Sequence, residues 1–311
     1  MCENRTMAYG EVKMQADWRA LAEEASWRLP TAALYVVATP LGNRFDLSVR
    51  ALAVLSGVAG IAAEDTRVTA RLLESWGIRT PLVALHAHNE RSAAEVLCAR
   101  LAAGEHWALV SDAGTPAVSD PGVKVVAMVR EQGFPVVAIP GPSAVTAAIS
   151  ISGWGESGFA FRGFLPAKAA QRRAAIREAA AGDLPTVWFE TPHRIDEALA
   201  DFAATLGTNH PVFVAREMTK RFEESFRGTV TEAQAWLAAR RERKHGEFVL
   251  VVPPANDDSE RTARAKAWCE RFIAAGVARS EAVRWAAELF QISKNRLYDW
   301  VVAHERIRDD S

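Results

Sequence analysis

Cysteine is scarce in this chain: Cys2, Cys98 and Cys269 are the only three in 311 residues, and no two form a CxxC pair. That spacing gives neither a disulfide framework nor a zinc-ligand pattern, and it fits a reduced, cytoplasmic setting. Long apolar runs are also missing, since none approaches the roughly 20 residues of a membrane span. The first thirty residues are interrupted by Glu3, Arg5, Glu11, Lys13, Asp17, Arg19, Glu23 and Glu24, which excludes the apolar stretch of a signal peptide. A dominant charge is absent too, because 37 Lys and Arg nearly cancel 38 Asp and Glu. Total charge therefore argues for no polyanion or membrane partner, and only local patches can. Finally, there is neither a GxGxxG dinucleotide fingerprint nor a GxxxxGK[ST] phosphate loop.

What is present is an ordinary globular composition, 49% apolar and 24% charged. A chain of 311 residues exceeds what one core usually serves. Short apolar runs alternate with helical-period segments from Leu34 onward, the pattern of a parallel α/β sheet. Expected units are an N-terminal extension (1–30) with little order, an α/β lobe (31–153), a second α/β lobe (154–254) and a small helical module (260–306). Gly153, Gly155 and Gly158 mark the lobe boundary, and Pro253 to Ser259 reads as a linker.

Ligands of a parallel sheet bind beyond the carboxyl ends of its strands. Three loops rich in small and turn-forming residues fall there: Thr39 to Asn43, with Pro40 and Gly42; Ser111 to Pro116, with Asp112, Ala113, Gly114 and Thr115; and Pro140 to Ala144, with Ser143. Glycine permits close backbone approach, and the acid suits a ribose diol or an amino group. A tight turn whose Asp caps the next segment explains the middle loop equally well if it stands alone. Further strand-end clusters are Glu64-Asp65-Thr66-Arg67, His86 to Glu90 with His88 and Asn89, Phe189-Glu190 running into Arg194, and Arg216 to Lys220. Such side chains position a hydroxyl, take its proton or grip a phosphate, although Asp65 and Thr66 also suit a helix start. His86 and His88 lack a third ligand, so no metal is expected.

Basic side chains gather at Lys168, Arg172, Arg173 and Arg177, then at Arg240 to Lys244. In the tail, ten Lys or Arg stand against five Asp or Glu between Arg261 and Arg308. Three such stretches on a near-neutral chain suggest charge segregated towards a polyanion.

In order, the motifs ending at Asn43, Arg67, Glu90, Gly122, Ala144, Pro166, Arg194 and Lys220 closely resemble the ribosomal RNA small subunit methyltransferase I family, of the tetrapyrrole-methylase-like class. The resemblance spans about residues 32 to 254, and the tail from Arg264 resembles that family's helix-turn-helix-like extension. Arg44 to Leu47 and Phe189-Glu190-Thr191 vary the family wording, and His245 interrupts its Lys-Gly-Glu, which leaves the role of Lys244 open.

The resemblance implies two α/β lobes with the cofactor cleft between them. It implies methyl transfer from S-adenosyl-L-methionine to the ribose 2′-hydroxyl of a cytidine in the decoding region of 16S rRNA, by a cytoplasmic homodimer without a metal. The donor would lie against Pro40, Gly42, Asp112, Ala113, Gly114, Thr115, Ser143, Ala144, Phe189 and Glu190. Asp65 or Glu190 would assist the proton, with Arg67, His88, Asn89 and Lys220 beside them. RNA would meet Lys168, Arg172, Arg173, Arg194, Arg216 and Lys244. Rival readings are a small-molecule tetrapyrrole methylase and a non-catalytic RNA-binding assembly factor.

Overall fold

The computed structural model describes residues 18–302 apart from 25, 26, 29, 157, 256, 257, 291, 293, 296 and 299. Helix α1 (Trp18–Glu24) lies ahead of a five-stranded sheet of β1 (Leu34–Val37), β2 (Gly60–Ala63), β3 (Leu82–Ala84), β4 (Trp107–Val110) and β5 (Val136–Ile139). Its order is β3-β2-β4-β1-β5, and every pairing is parallel.

Side chains along these strands alternate between two cores. Tyr35, Val37, Ile61, Ala63, Ala108 and Val110 meet α2 (Val49–Gly57) and α3 (Thr66–Ser75). Leu34, Ala62 and Leu109 meet α4 (Glu90–Ala102) and α5 (Val123–Glu131) on the other face. With both faces covered, the strands have no polar side to alternate with, hence runs such as Leu-Tyr-Val-Val. Burial of each Leu in such a core contributes about 1.5–3 kcal/mol. Because α2 follows β1 onto one face and α5 follows β4 onto the other, the carboxyl ends of these adjacent strands form the topological switch point of the sheet.

The second lobe holds α6 (Ala144–Ser152), β6 (Ala160–Phe164), α7 (Ala169–Ala180), β7 (Thr186–Glu190), α8 (Ile195–Leu206), β8 (Pro211–Arg216), β9 (Glu224–Thr229), α9 (Val230–Ala238) and β10 (Phe248–Val252). Its sheet runs β6-β7-β10-β8-β9, with β6 and β7 parallel and the other three pairs antiparallel. Helices α7, α8 and α9 cover one face. The other face is covered by α6, through Val145 and Ala148 against Val187, Phe213, Ala215 and Val251. A boundary at Gly153 leaves α6 with the first lobe, but its packing corrects this and joins it to the second sheet.

Beyond them, α10 (Asp258–Ala274) and α11 (Arg279–Phe290) share a core of their own with Leu297 and Val301. The expectation of little order before residue 30 is corrected for α1 and its flank. Trp18 meets Trp76 edge-on at 6.4 Å, Trp27 meets Tyr35 at 5.2 Å, and Arg28 donates to the Gly57 carbonyl at 3.1 Å. Residues 1–17 lie outside the described residues. No helix among the described residues is long and apolar enough to cross a membrane.

Candidate functional site

The three expected loops follow the neighbouring strands β4, β1 and β5, and hydrogen bonds knit them together. Thr39 and Gly114 exchange backbone bonds of 2.8 and 3.0 Å, the Thr39 hydroxyl donates to the Ser111 carbonyl at 3.0 Å, and the Thr115 hydroxyl donates to the Pro142 carbonyl at 3.1 Å. Gly114 sits at φ 82°, where a side chain is strained. Gly42 lies against the second lobe, and a Cβ there would collide with Lys220 Cγ. Ala144, which starts α6 directly after the third loop, shares one apolar cluster with Phe189 of the second sheet. Pro40, Gly42, Asp112 to Thr115, Ser143 and Ala144 thus stand on the joined loops, with Phe189 opposite.

Beside these loops, the ends of β2 and β4 crowd carboxylates. Asp112 Oδ1 accepts from the Asp65 backbone at 2.9 Å, and Glu64 Oε2 faces the Asp112 N–H at 3.4 Å. Burial, followed by the charges of Asp112 and Asp65, pushes the Glu64 carboxyl up despite its bond to Asp112. Burial and the neighbouring charge of Glu64 push Asp120 up to about 6, against the stabilising hydroxyl of Ser111. The Asp120 loop carries two non-glycine residues at positive φ, Ala117 and Ser119. Buried Glu90 braces that loop by accepting from the N–H groups of Gly122 and Lys124 at 2.8 and 2.9 Å. Asp120 was not singled out by sequence reasoning, and Glu64 stood only as one member of the Glu64 to Arg67 cluster, with no role of its own. Only the fold brings the two together.

Asp65 caps α3 through the Arg67 N–H and forms two further bonds with the Arg67 side chain. Those bonds hold its carboxyl well below the usual range, which makes it a weak base. The Glu190 side chain is fully enclosed, with Oε1 accepting from the Thr191 N–H at 2.7 Å and Oε2 from Arg194 at 3.0 Å. Burial raises its pKa, partly offset by those partners. Both carboxylates expected to assist the proton are thus tied to a cation of their own strand-end turn, Asp65 to Arg67 and Glu190 to Arg194. Arg194 also donates to the Leu165 carbonyl, as a brace between β7 and the end of β6.

Asn89 is a loop brace, accepting from the His86 N–H at 2.8 Å and donating to the Ala84 carbonyl at 3.0 Å, while His88 is exposed next to it. Lys220 Nζ lies 2.9 Å from both Glu217 and Glu247. Burial opposes its charge, but these two acids outweigh burial and keep the ammonium above its usual range. The turn carrying Lys220 holds Glu217 and Thr219 at positive φ, backbone strain that costs about 1–3 kcal/mol per residue.

Two basic residues expected to meet RNA are buried scaffold instead. Arg172, 1% exposed, donates to Asp201 at 2.6 Å and to Glu197 at 3.1 Å, because the acids of α8 face α7. Arg216, 5% exposed at the end of β8, donates to the carbonyls of His245, Phe222 and Glu242. Arg173 is half-shared with Asp201 at 2.9 Å, and Lys244 pairs with Asp196 at 2.7 Å. Lys168 is exposed at the start of α7.

A separate cavity of about 680 Å³, lined by Trp18, Trp27, Arg79 and Thr80 among others, opens at the opposite edge of the first sheet. It contains none of the knitted loops. Among the described residues, no group of three or more His, Cys, Asp or Glu is placed to hold a metal ion.

A parallel first lobe and a mixed second lobe, with joined loops at the crevice between them, define a class. Residues 33–234 match the family model of tetrapyrrole (corrin/porphyrin) methylases, and the chain belongs to that family. Solved structures with the same fold include a diphthine synthase (TM-score 0.57, 16% identity, 72% of this chain and 90% of that one). Another is the methyltransferase CobJ (TM-score 0.54, 18% identity, 72% and 95%).

Within the class, the chain belongs to the ribosomal RNA small subunit methyltransferase I family. The relative of that name from Neisseria meningitidis serogroup A is 45% identical, covering 89% of this chain and 95% of its own. Those from Vibrio cholerae and Escherichia coli O157:H7 are 42% and 40% identical, over 86% and 88% of this chain and 93% and 95% of theirs.

Proposed function

We propose that this chain transfers a methyl group from S-adenosyl-L-methionine to the ribose 2′-hydroxyl of a cytidine in the decoding region of 16S rRNA, as a homodimer acting on the small subunit. The observation that carries the reading is the carboxylate cluster of Glu64, Asp112 and Asp120 beside the knitted loops of a methylase fold. Two of its members are held above their usual pKa, so the cluster favours a cation. A sulfonium donor with an α-ammonium group meets that requirement. Gly42 and Gly114 let it approach the backbone, and Leu41, Ala144 and Phe189 offer apolar contact.

When bound, the donor supplies an electrophilic methyl, which leaves the protein chiefly the task of orientation. Asp112 serves as a binder. Asp120, with a pKa of about 6, is the carboxylate matched to accepting a proton near neutral pH. Arg67, 84% exposed, is available to an RNA phosphate, as are Lys168 and the free side of Arg173. Lys220 and Arg194 hold the second lobe's rim in place.

The test is ribose-methylation mapping of small-subunit rRNA from cells with and without the protein, paired with donor binding by calorimetry. An unchanged map sinks the substrate assignment. Absence of donor binding sinks the enzyme.

A further inference from the structure

Arginine followed by phenylalanine occurs at Arg44-Phe45, Arg221-Phe222 and Arg271-Phe272, and of these Phe272 packs into the core of the tail helices. Among the described residues, Phe45 and Phe222 are the two most exposed large apolar side chains, at 68% and 63%. Each ring carries the guanidinium of its preceding arginine, with Arg44 Cζ 4.9 Å and Arg221 Cζ 5.5 Å from the ring centre. Neither arginine has an ion pair among the described residues.

The backbone beneath both rings is held firmly. The Asn43 side chain accepts from the Phe45 N–H at 3.2 Å, and Trp76 meets the Phe45 ring edge-on at 6.1 Å. On the second lobe, buried Arg216 donates to the Phe222 carbonyl at 2.9 Å. Both rings thus stand in solvent on anchored backbone.

The two pairs also share a location. Phe45 lies three residues beyond Gly42, and Phe222 lies two beyond Lys220, which are the residues that touch where the lobes meet. At 3.8 Å per residue, both Cα atoms stand within roughly 25 Å of each other across the cleft mouth. Every nucleobase offers a π-face, so exposed aromatics beside unpaired arginines suit unpaired RNA, whose bases stack on rings while its phosphates meet the guanidinium groups. A duplex offers no free base to stack.

We infer that Arg44-Phe45 and Arg221-Phe222 are two stacking platforms, one on each lobe, that grip unpaired nucleotides on either side of the ribose being methylated. This rests on the RNA-methylating function proposed above, and it specifies single-stranded RNA as the form recognised.

The experiment compares Phe45→Ala, Phe222→Ala and the double variant with wild type, using a fluorescent single-stranded RNA of the target sequence and the same sequence as a duplex. Each single variant is expected to weaken single-strand binding and raise KM about ten-fold, the loss of roughly one stacked base. Donor affinity, duplex binding and kcat stay near wild type, and Phe45→Trp and Phe222→Trp restore binding. Single-strand affinity and KM unchanged in the double variant would overturn the inference. So would a change in oligomeric mass with RNA affinity intact, which would mark the rings as a protein contact. If the wild type binds the single strand through these rings but methylates no RNA, the platforms stand and the proposed reaction falls.

Discussion

On the first lobe's rim, Glu64, Asp112 and Asp120 are pressed together at two strand ends, whereas on the second lobe the buried acids have cations of their own. Glu190 has Arg194, Asp201 has Arg172 and Arg173, and Glu217 has Lys220. The second lobe's charges complete each other and serve as scaffold. Glu64 and Asp120 of the first lobe have no cation among the groups that shift them, which is the condition for binding something else. Charged residues at the ends of strands thus divide into scaffold and site according to what faces them, not by type.

The strongest way to break this comparison is Arg172→Ala, which leaves Asp201 buried without its principal partner. Stability by urea denaturation should fall by about 3–5 kcal/mol. A loss under about 1 kcal/mol would mean that the pairing is incidental. Arg67→Ala, removing an exposed pair on the first rim, should cost less than about 1 kcal/mol.

Next comes Gly42→Ala, whose new methyl displaces the Lys220 stem. Overpacking of this kind costs about 1–3 kcal/mol, so donor affinity should drop roughly ten-fold or more, with part of it recovered in Gly42→Ala/Lys220→Ala. An unchanged affinity would show that the contact between the rims is loose. Asp112→Asn should then weaken the donor about ten-fold by calorimetry, with the melting temperature unchanged. A melting temperature that fell instead would reclassify Asp112 as scaffold.

Asp120→Asn tests the incompleteness by pH. The folded pKa of about 6 lies above the ordinary 3.8, so the stability tied to its proton is present below about pH 4 and lost as pH rises through 6. The variant should therefore melt about 2 °C above wild type at pH 8 and level with it at pH 4. Its methyl transfer should lose the acid limb that wild type shows near pH 6. The smallest effect belongs to Asp65→Asn. Asparagine caps a helix about as well, and both stability and transfer should stay within about 0.5 kcal/mol of wild type. A complete loss of transfer would restore Asp65 as the base.

The sheet of the first lobe was legible because its buried strands and loop residues are local signals, written in runs such as Leu34 to Val37 and in the glycines after them. Helix α1 (Trp18–Glu24) was not legible, since it stands ahead of the strand-helix alternation that begins at Leu34. The antiparallel pairing of β10 with β7 and β8 was not, since an apolar run such as Phe248 to Val252 reads alike in either direction. Nor was the fate of Arg172 and Arg216. A basic stretch reveals its own charge and not the Asp201 and Glu197 waiting on another helix, or the carbonyls waiting around β8. Asp120 and the perturbation it shares with Glu64 escaped notice because that perturbation is a property of the pair, separated by more than fifty residues of chain and joined only in space.

Helix α6 starts at Ala144, directly after the Pro140 to Ser143 loop of the first sheet, yet its apolar face is seated on the second sheet. One end of this rod is therefore fixed to each half of the molecule. Rotation of the second sheet against the first pulls on Ser143 and Ala144, so the rotation is transmitted as torque to one wall of the crevice. The spacing of the two sheets and the position of the Ser143–Ala144 wall are mechanically a single coordinate.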